Sequence, residues 1–307
     1  MILTVCMSPC TDMTIEVDSL NVGRMNVIKN KSVALGGKAL HVAIGVQRLG
    51  YDAYATGMMY EDNGALFETA LSKEGVPCQF VWNKGRAREN YKFIDNRSML
   101  TEVNDIGAEI TTEKAEELLK LVASLSARSD VTVLSGGLPK GVEHDYYARL
   151  VHAVNADSLK IVDASGARLF AAIAEGVDLV RPNIAELENA IGKSIESKED
   201  MLAGCYELLD RGAKRVLLSL GKDGAVITDG SQSFHCKSLN VALNPTVGAG
   251  DAMVAAAAIQ LKDGASLPDI LRAGVAAGTA SIMTVDRLSF TKEKYDEVYG
   301  TLSISRI

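Results

Sequence analysis

Asp130-Val131-Thr132-Val133-Leu134-Ser135-Gly136-Gly137 sits at the centre of the chain's regular alternation of strands and helices. Residues 130–134, apolar apart from Asp130 and Thr132, are closed by Ser135-Gly136-Gly137 and read as a buried strand ending in a polar turn. Just before it, 111–125 carries Ala115, Leu118, Leu119, Val122 and Leu125 on one helical face. After it come a helix over 143–155, a strand over 159–163, a helix over 166–174 and a strand over 177–180. Helices over 184–191 and 197–211 and a strand over 214–219 follow. Buried strands alternating with helices predict an α/β fold: a doubly wound, mostly parallel sheet flanked by helices, with right-handed crossovers.

Working outward toward the N-terminus, 2–7 reads as a buried strand, 38–49 as a helix closed by Gly50, 51–59 as a strand, and 63–73 as a helix stopped at Gly75. Toward the C-terminus, 225–228 and 233–236 read as a hairpin across Asp229-Gly230. Small-residue helices at about 250–262 and 267–283 and a polar helix at 291–302 complete the chain. Two groups of alternating segments, at about 10–34 and 79–105, break the βα rhythm. They are expected to form a small antiparallel β-sheet lid inserted into a single domain spanning 1–307.

The composition limits the function classes. The 307 residues are 47% hydrophobic and 23% charged, with a net charge of −7, which disfavours a nucleic-acid partner. The five cysteines (Cys6, Cys10, Cys78, Cys205, Cys236) are scattered and read as reduced thiols. The first residues lack the pattern of a secretory leader, and no apolar run approaches eighteen residues. The expectation is a cytoplasmic protein without a membrane partner.

In an open α/β sheet, ligands bind beyond the carboxyl ends of the strands. The polar residues expected there are Asp12, Gly36-Gly37-Lys38, Ser135-Gly136-Gly137, Asp163, Asn183 to Glu186, Ser219-Leu220-Gly221 and the turn at 248–251. That turn lies in Asn244-Pro245-Thr246-Val247-Gly248-Ala249-Gly250-Asp251, directly before an alanine-rich helix. Free amides at such a helix start attract anions, and Asp251 sits in its first turn. A plain helix start with an acidic residue explains this stretch equally well by itself. Two common phosphate motifs fail here. A P-loop requires Ser or Thr after Gly-Lys, and Ala39 stands there; a dinucleotide fingerprint requires a third glycine where Met253 stands. Arg88, Asn90 and Lys92 alternate along a strand and share one face, either as ordinary surface charge or as a clamp for a phosphate dianion.

Taken together, Thr246 to Asp251, Gly36-Gly37-Lys38, Pro182 to Glu188, Ser219 to Ala225 and Ser135 to Pro139 resemble the ribokinase-like (PfkB) carbohydrate kinases. The resemblance covers essentially the whole chain and falls within the 1-phosphofructokinase and tagatose-6-phosphate kinase branch. It implies Asp251 as catalytic base and the Gly248, Ala249 and Gly250 turn as anion hole. It implies Asn183 and Glu186 organising Mg²⁺ and nucleotide phosphates, with Ser219, Gly221, Gly224 and Thr246 along ATP. Asp12, Gly36, Gly37, Lys38, His41, Ser135 and Gly136 would hold the sugar, and Arg88, Asn90 and Lys92 imply a sugar already bearing phosphate. Lid-to-lid pairing into a homodimer is common among such kinases. The leading substrates are fructose 1-phosphate and then tagatose 6-phosphate. A kinase of an unphosphorylated sugar or nucleoside, and a non-catalytic sugar-phosphate sensor, are the alternatives.

The chain departs from that pattern at several places. Ala39 and His41 stand where the branch carries Gly and Asn, and Pro245 where Asn is common. After Ser281 the family's glycine-containing loop is missing, which bears on adenine and monovalent-cation contacts.

Overall fold

The computed structural model describes residues 1–241, 248–283 and 290–307. Pro245, Thr246 and the segment 284–288 therefore lie outside the described residues.

In chain order the first half comprises β1 (Ile2–Cys6), β2 (Cys10–Val17), β3 (Ile28–Gly36), α1 (Lys38–Arg48), β4 (Ala53–Tyr60), α2 (Gly64–Lys73), β5 (Cys78–Asn83), β6 (Arg88–Ile94), β7 (Leu100–Asn104) and α3 (Thr112–Ser126). The second half comprises β8 (Val131–Ser135), α4 (Tyr146–Ala153), β9 (Leu159–Asp163), α5 (Ala167–Ala174), β10 (Leu179–Val180), α6 (Ile184–Ile191), α7 (Lys198–Asp210), β11 (Val216–Ser219), β12 (Ala225–Thr228), β13 (Ser233–Cys236), α8 (Ala249–Lys262), α9 (Leu267–Ile282), α10 (Lys292–Thr301) and β14 (Ile304–Arg306).

Ten strands form one sheet in the order β14-β13-β12-β11-β10-β9-β8-β1-β4-β5. From β5 to β11 every neighbouring pair is parallel, and the hairpin β12–β13 and then β14 extend that edge antiparallel. β1 and β8 are buried along their whole length, as continuous apolar runs require. Helix α1 packs on β1, β4 and β8 from one side and α3 on β1, β4 and β5, while α8 lies against α1, α9, β8 and β9. The chain runs from β1 to β4 on one side and to β8 on the other, so the order reverses at β1 and opens a crevice at the carboxyl ends.

A second sheet of four strands runs β3-β2-β6-β7. Two expectations are corrected here. Residues 79–82, expected in the lid, belong to β5, which pairs in parallel with β4 at the edge of the large sheet. The small sheet is also mixed, because β2 pairs in parallel with β6. The alternation in Gln79-Phe80-Val81-Trp82 that suggested a lid strand has a simple cause: an edge strand is covered on only part of its surface. β14, three residues long and mostly exposed, carried no periodic signal and was not foreseen.

Candidate active site

Asp251 enters the site through the close approach of two helices. On α1, a Cβ added at Gly45 would come within 2.8 Å of the Ala255 Cβ on α8. One turn toward each N-terminus from that contact stand His41 and Asp251, on the same helix faces. His41 Nδ1 lies 2.9 Å from Asp251 Oδ2, and its Nε2 lies 3.0 Å from the Leu35 carbonyl oxygen. Both residues are buried. Both nitrogens of His41, expected to face the sugar, are thus engaged by the protein itself. Burial alone disfavours the charged ring; the hydrogen bond to Asp251, its charge, the Leu35 carbonyl and the charge of Asp12 outweigh it and raise the His41 pKa above its ordinary value.

α8 begins at Gly248, which adopts φ 130° and supplies no side-chain cap. The amides of the first helical turn therefore lack intrahelical acceptors and point out of the helix end. Gly250 answers a specific steric demand, because a Cβ there would sit 2.7 Å from Arg181 Nη1.

Arg181, immediately after β10, donates from Nε (3.2 Å) and Nη2 (2.7 Å) to Asp163 Oδ1. The other oxygen, Asp163 Oδ2, accepts from Ser135 Oγ at 2.8 Å and pairs with Lys38 Nζ at 3.3 Å. Burial by itself would raise the Asp163 pKa, but the adjacent Arg181 and Lys38 charges and the hydrogen bonds hold it below the ordinary value. Lys38 Nζ also lies 3.9 Å from Glu186 Oε1. Lys38, expected at the sugar, therefore bridges two carboxylates at the carboxyl ends of the parallel strands. Neither the arginine at the end of a short buried strand nor the anchoring role of Asp163 was assigned from sequence. The signal for Arg181 was its charge directly after Leu179-Val180, a position where solvent is excluded.

Asn183 caps α6 in a reciprocal box: its side-chain oxygen accepts from the Glu186 amide at 2.8 Å, and Glu186 Oε2 accepts from the Asn183 amide at 2.9 Å. The cap leaves Glu186 Oε1 directed toward Lys38. Asn183 also bridges to Ser219 at the end of β11. Beyond Ser219 a cavity of about 700 Å³ runs between Gly221, Gly224, Lys237, Asn240, Ala249 and Thr279. It spans the start of α8 and the side of α9 and has the size of a small-molecule site. Among the described residues, no group of three or more His, Cys, Asp or Glu side chains is placed to hold a metal ion. The Glu186 carboxylate, with Oε2 held in the cap and Oε1 outside it, suits an ion held mostly by water and phosphate oxygens.

From the small sheet, Asp12 on β2 pairs in register with Asn90 on β6. Asn90 Nδ2 donates to Asp12 Oδ1 at 2.9 Å, and Arg88 Nη1 donates to Asn90 Oδ1 at 3.0 Å. Arg88 Nε is buried and has no hydrogen-bond partner among the described residues. Lys92 Nζ, expected in a phosphate clamp with Arg88, lies 3.7 Å from Asp12 Oδ2 and 3.8 Å from Glu102 Oε1. Its charge is already balanced, whereas Arg88 keeps an unmet donor. Gly36, beside them, has no room for a side chain: a Cβ would meet Cys10 Sγ at 2.6 Å. On the other side of the crevice, Tyr147 donates to the Gly136 carbonyl at 2.8 Å and holds the Ser135-Gly136 turn.

A buried acidic residue at a glycine-opened helix start, beside a small-molecule cavity at the carboxyl ends of the parallel strands, fits a small-molecule phosphotransferase of the ribokinase-like fold. The chain belongs to the pfkB family of carbohydrate kinases, whose pattern matches residues 3–287. It is 32% identical over 286 residues to ATP-dependent 6-phosphofructokinase isozyme 2 of Mycobacterium tuberculosis, covering 92% of this chain and 84% of that protein. It is 28% identical over 295 residues to 1-phosphofructokinase of Borreliella burgdorferi, covering 96% and 95%. The solved phosphofructokinase-2 from Escherichia coli in complex with potassium superposes with a TM-score of 0.89 at 29% identity, covering 97% and 98%.

Proposed function

We propose that the protein transfers the γ-phosphoryl group of ATP to a hydroxyl of a phosphorylated ketohexose, with fructose 1-phosphate and then tagatose 6-phosphate as leading acceptors. The observation that carries this reading is the buried Asp251 side chain in the first turn of α8, beside the Gly248, Ala249 and Gly250 amides at the helix start.

Phosphoryl transfer asks a protein mainly for positioning and charge stabilisation. Asp251 takes the proton of the acceptor hydroxyl as that oxygen bonds to phosphorus and the bond to ADP breaks. The amides at 248–250 stabilise the negative charge spread over the transferred group. Lys38, tethered by Asp163, presents a cation on the same side. Glu186, oriented by its Asn183 cap, is the residue that would hold Mg²⁺ through water. That ion supplies charge neutralisation of the β- and γ-phosphates when bound. Gly221, Gly224 and Ser219 border the cavity assigned to ATP. Asp12 and Asn90 hold sugar hydroxyls, and the unmet Nε donor of Arg88 is assigned to the acceptor's own phosphate. In this reading the small sheet acts as a lid that excludes water during transfer.

A coupled assay of ADP release across free and phosphorylated ketoses tests the reading. The panel must include fructose 6-phosphate, because one relative is a 6-phosphofructokinase. A phosphorylated ketohexose should give the highest kcat/KM, and Arg88→Ala should raise KM for it far more than for ATP. Preference for an unphosphorylated sugar, with Arg88→Ala indifferent, would overturn the acceptor assignment.

A further inference from the structure

We propose that His41 is the positioning residue of the base: as an imidazolium it donates from Nδ1 to one oxygen of Asp251 and thereby presents the other oxygen to the acceptor hydroxyl. The inference rests on the reading of Asp251 as base.

Proton counting carries it. The Leu35 carbonyl can only accept, so the 3.0 Å contact takes a proton on Nε2. An ionised Asp251 can only accept as well, so the 2.9 Å contact takes a proton on Nδ1. A neutral imidazole has one N–H for its two nitrogens. Both contacts coexist only if the pair holds an additional proton, and ordinary basicities, with imidazole about 2.6 pKa units above an aspartate carboxyl, put it on the ring.

The surroundings agree. Asp251 faces the ring from α8, and Asp12 contributes a second negative charge from β2. Lys92 offsets part of the Asp12 charge. Arg181, after β10, acts on Asp251 and is itself neutralised by Asp163. Lys38, on the same helix as His41, is directed to Asp163 and Glu186. These are the charged groups found about the pair among the described residues. Their combined effect keeps the His41 pKa above its ordinary value despite burial.

His41 keeps its proton through the reaction, while the hydroxyl proton moves to the free oxygen of Asp251 and leaves later to solvent. Because the pKa is raised, the pair persists to higher pH than an ordinary imidazolium would allow and is lost as pH rises through the folded value. Above it a single ring proton serves two acceptors, so one contact fails in either tautomer: Asp251 loses its donor if the proton stays on Nε2, and the ring loses its Leu35 anchor if it stays on Nδ1. Turnover should fall on the alkaline side. An asparagine at this place would donate without titrating.

The test is the pH profile of kcat for the wild type, His41→Asn and Asp251→Asn, with nucleotide binding as the folding control. The wild type should show the alkaline limb. His41→Asn should be slower by between about 10- and 100-fold and should lack that limb. If His41→Asn keeps the limb while Asp251→Asn is inactive, the pairing is wrong and the base assignment stands. If Asp251→Asn turns over normally, the base assignment fails and takes the pairing with it. Nitrogen-15 spectra of the four histidines at neutral pH decide the matter even if the variants fold poorly. One buried ring protonated on both nitrogens supports the proposal, and a neutral His41 overturns it.

Discussion

At the residue scale, the anchor of the site is the Arg181–Asp163 pair, and it was the residue pattern hardest to read in advance. Asp163 is fully enclosed, and Arg181, Lys38 and Ser135 satisfy it from three sides. Removing one partner of such a buried pair typically costs about 3–5 kcal/mol, mostly because a charge is left without compensation. Arg181→Leu should therefore destabilise the protein by that order in denaturant melts at neutral pH. The sign of its pH dependence follows from the depressed Asp163 pKa. The stabilisation is present above the ordinary carboxylate value and is lost as pH falls through the lower, folded value, so the loss caused by Arg181→Leu should shrink toward acid pH. An undiminished loss in acid would contradict the assignment. Sequence placed Asp12, Lys38, Ser135, Asn183, Glu186 and Asp251 at one end of the sheet, because strand ends can be read from apolar runs. It did not reveal that Lys38 turns to Asp163 or that His41 turns to Asp251, since a contact spanning 210 positions has no local signature.

At the element scale, the α1–α8 contact sets the geometry of Asp251, the proposed base. Gly45 and Ala255 allow the helix backbones to approach closely, and the turn beyond them brings His41 to Asp251. Gly45→Ala is expected to stabilise α1 by propensity yet push the helices apart, because its Cβ would meet Ala255 at 2.8 Å. Steady-state assays should show kcat reduced several-fold with the KM for ATP nearly unchanged; an unaltered kcat would mean that the helix spacing does not control the base. The helices and the central strands were legible because their burial periodicity is strong. The edge strand β5 was misread as part of the lid, since partial cover imitates the alternation of a half-exposed sheet. The short terminal strand β14 has too few residues for a period.

At the scale of the whole molecule, the small sheet has two unlike faces. One carries Asp12, Asn90 and Lys92; on the other, register places Val33, Met13, Tyr91 and Val103 in a row across all four strands. Val33 and Val103 are more than half exposed, and Val22 and Met25 in the adjoining loop are 95% and 90% exposed. Such an apolar sheet face suits an interaction surface, and we propose that a second copy of the chain covers it, in the lid-to-lid pairing that the family resemblance implies. Light scattering should give a dimer for the wild type and a monomer for Val103→Asp, whose charge would be buried in that row. A dimer that persists in the variant would move the interface elsewhere.

The proposed transfer depends on Asp251, and its replacement by asparagine is the most direct measurement. The substitution keeps the size of the side chain and removes its capacity to accept a proton. Asp251→Asn is expected to lower kcat on the preferred phosphosugar by at least about 10²-fold, and up to about 10⁴-fold, while nucleotide affinity stays within a few-fold of wild type. Near-normal turnover by a folded, nucleotide-binding Asp251→Asn protein would contradict the account.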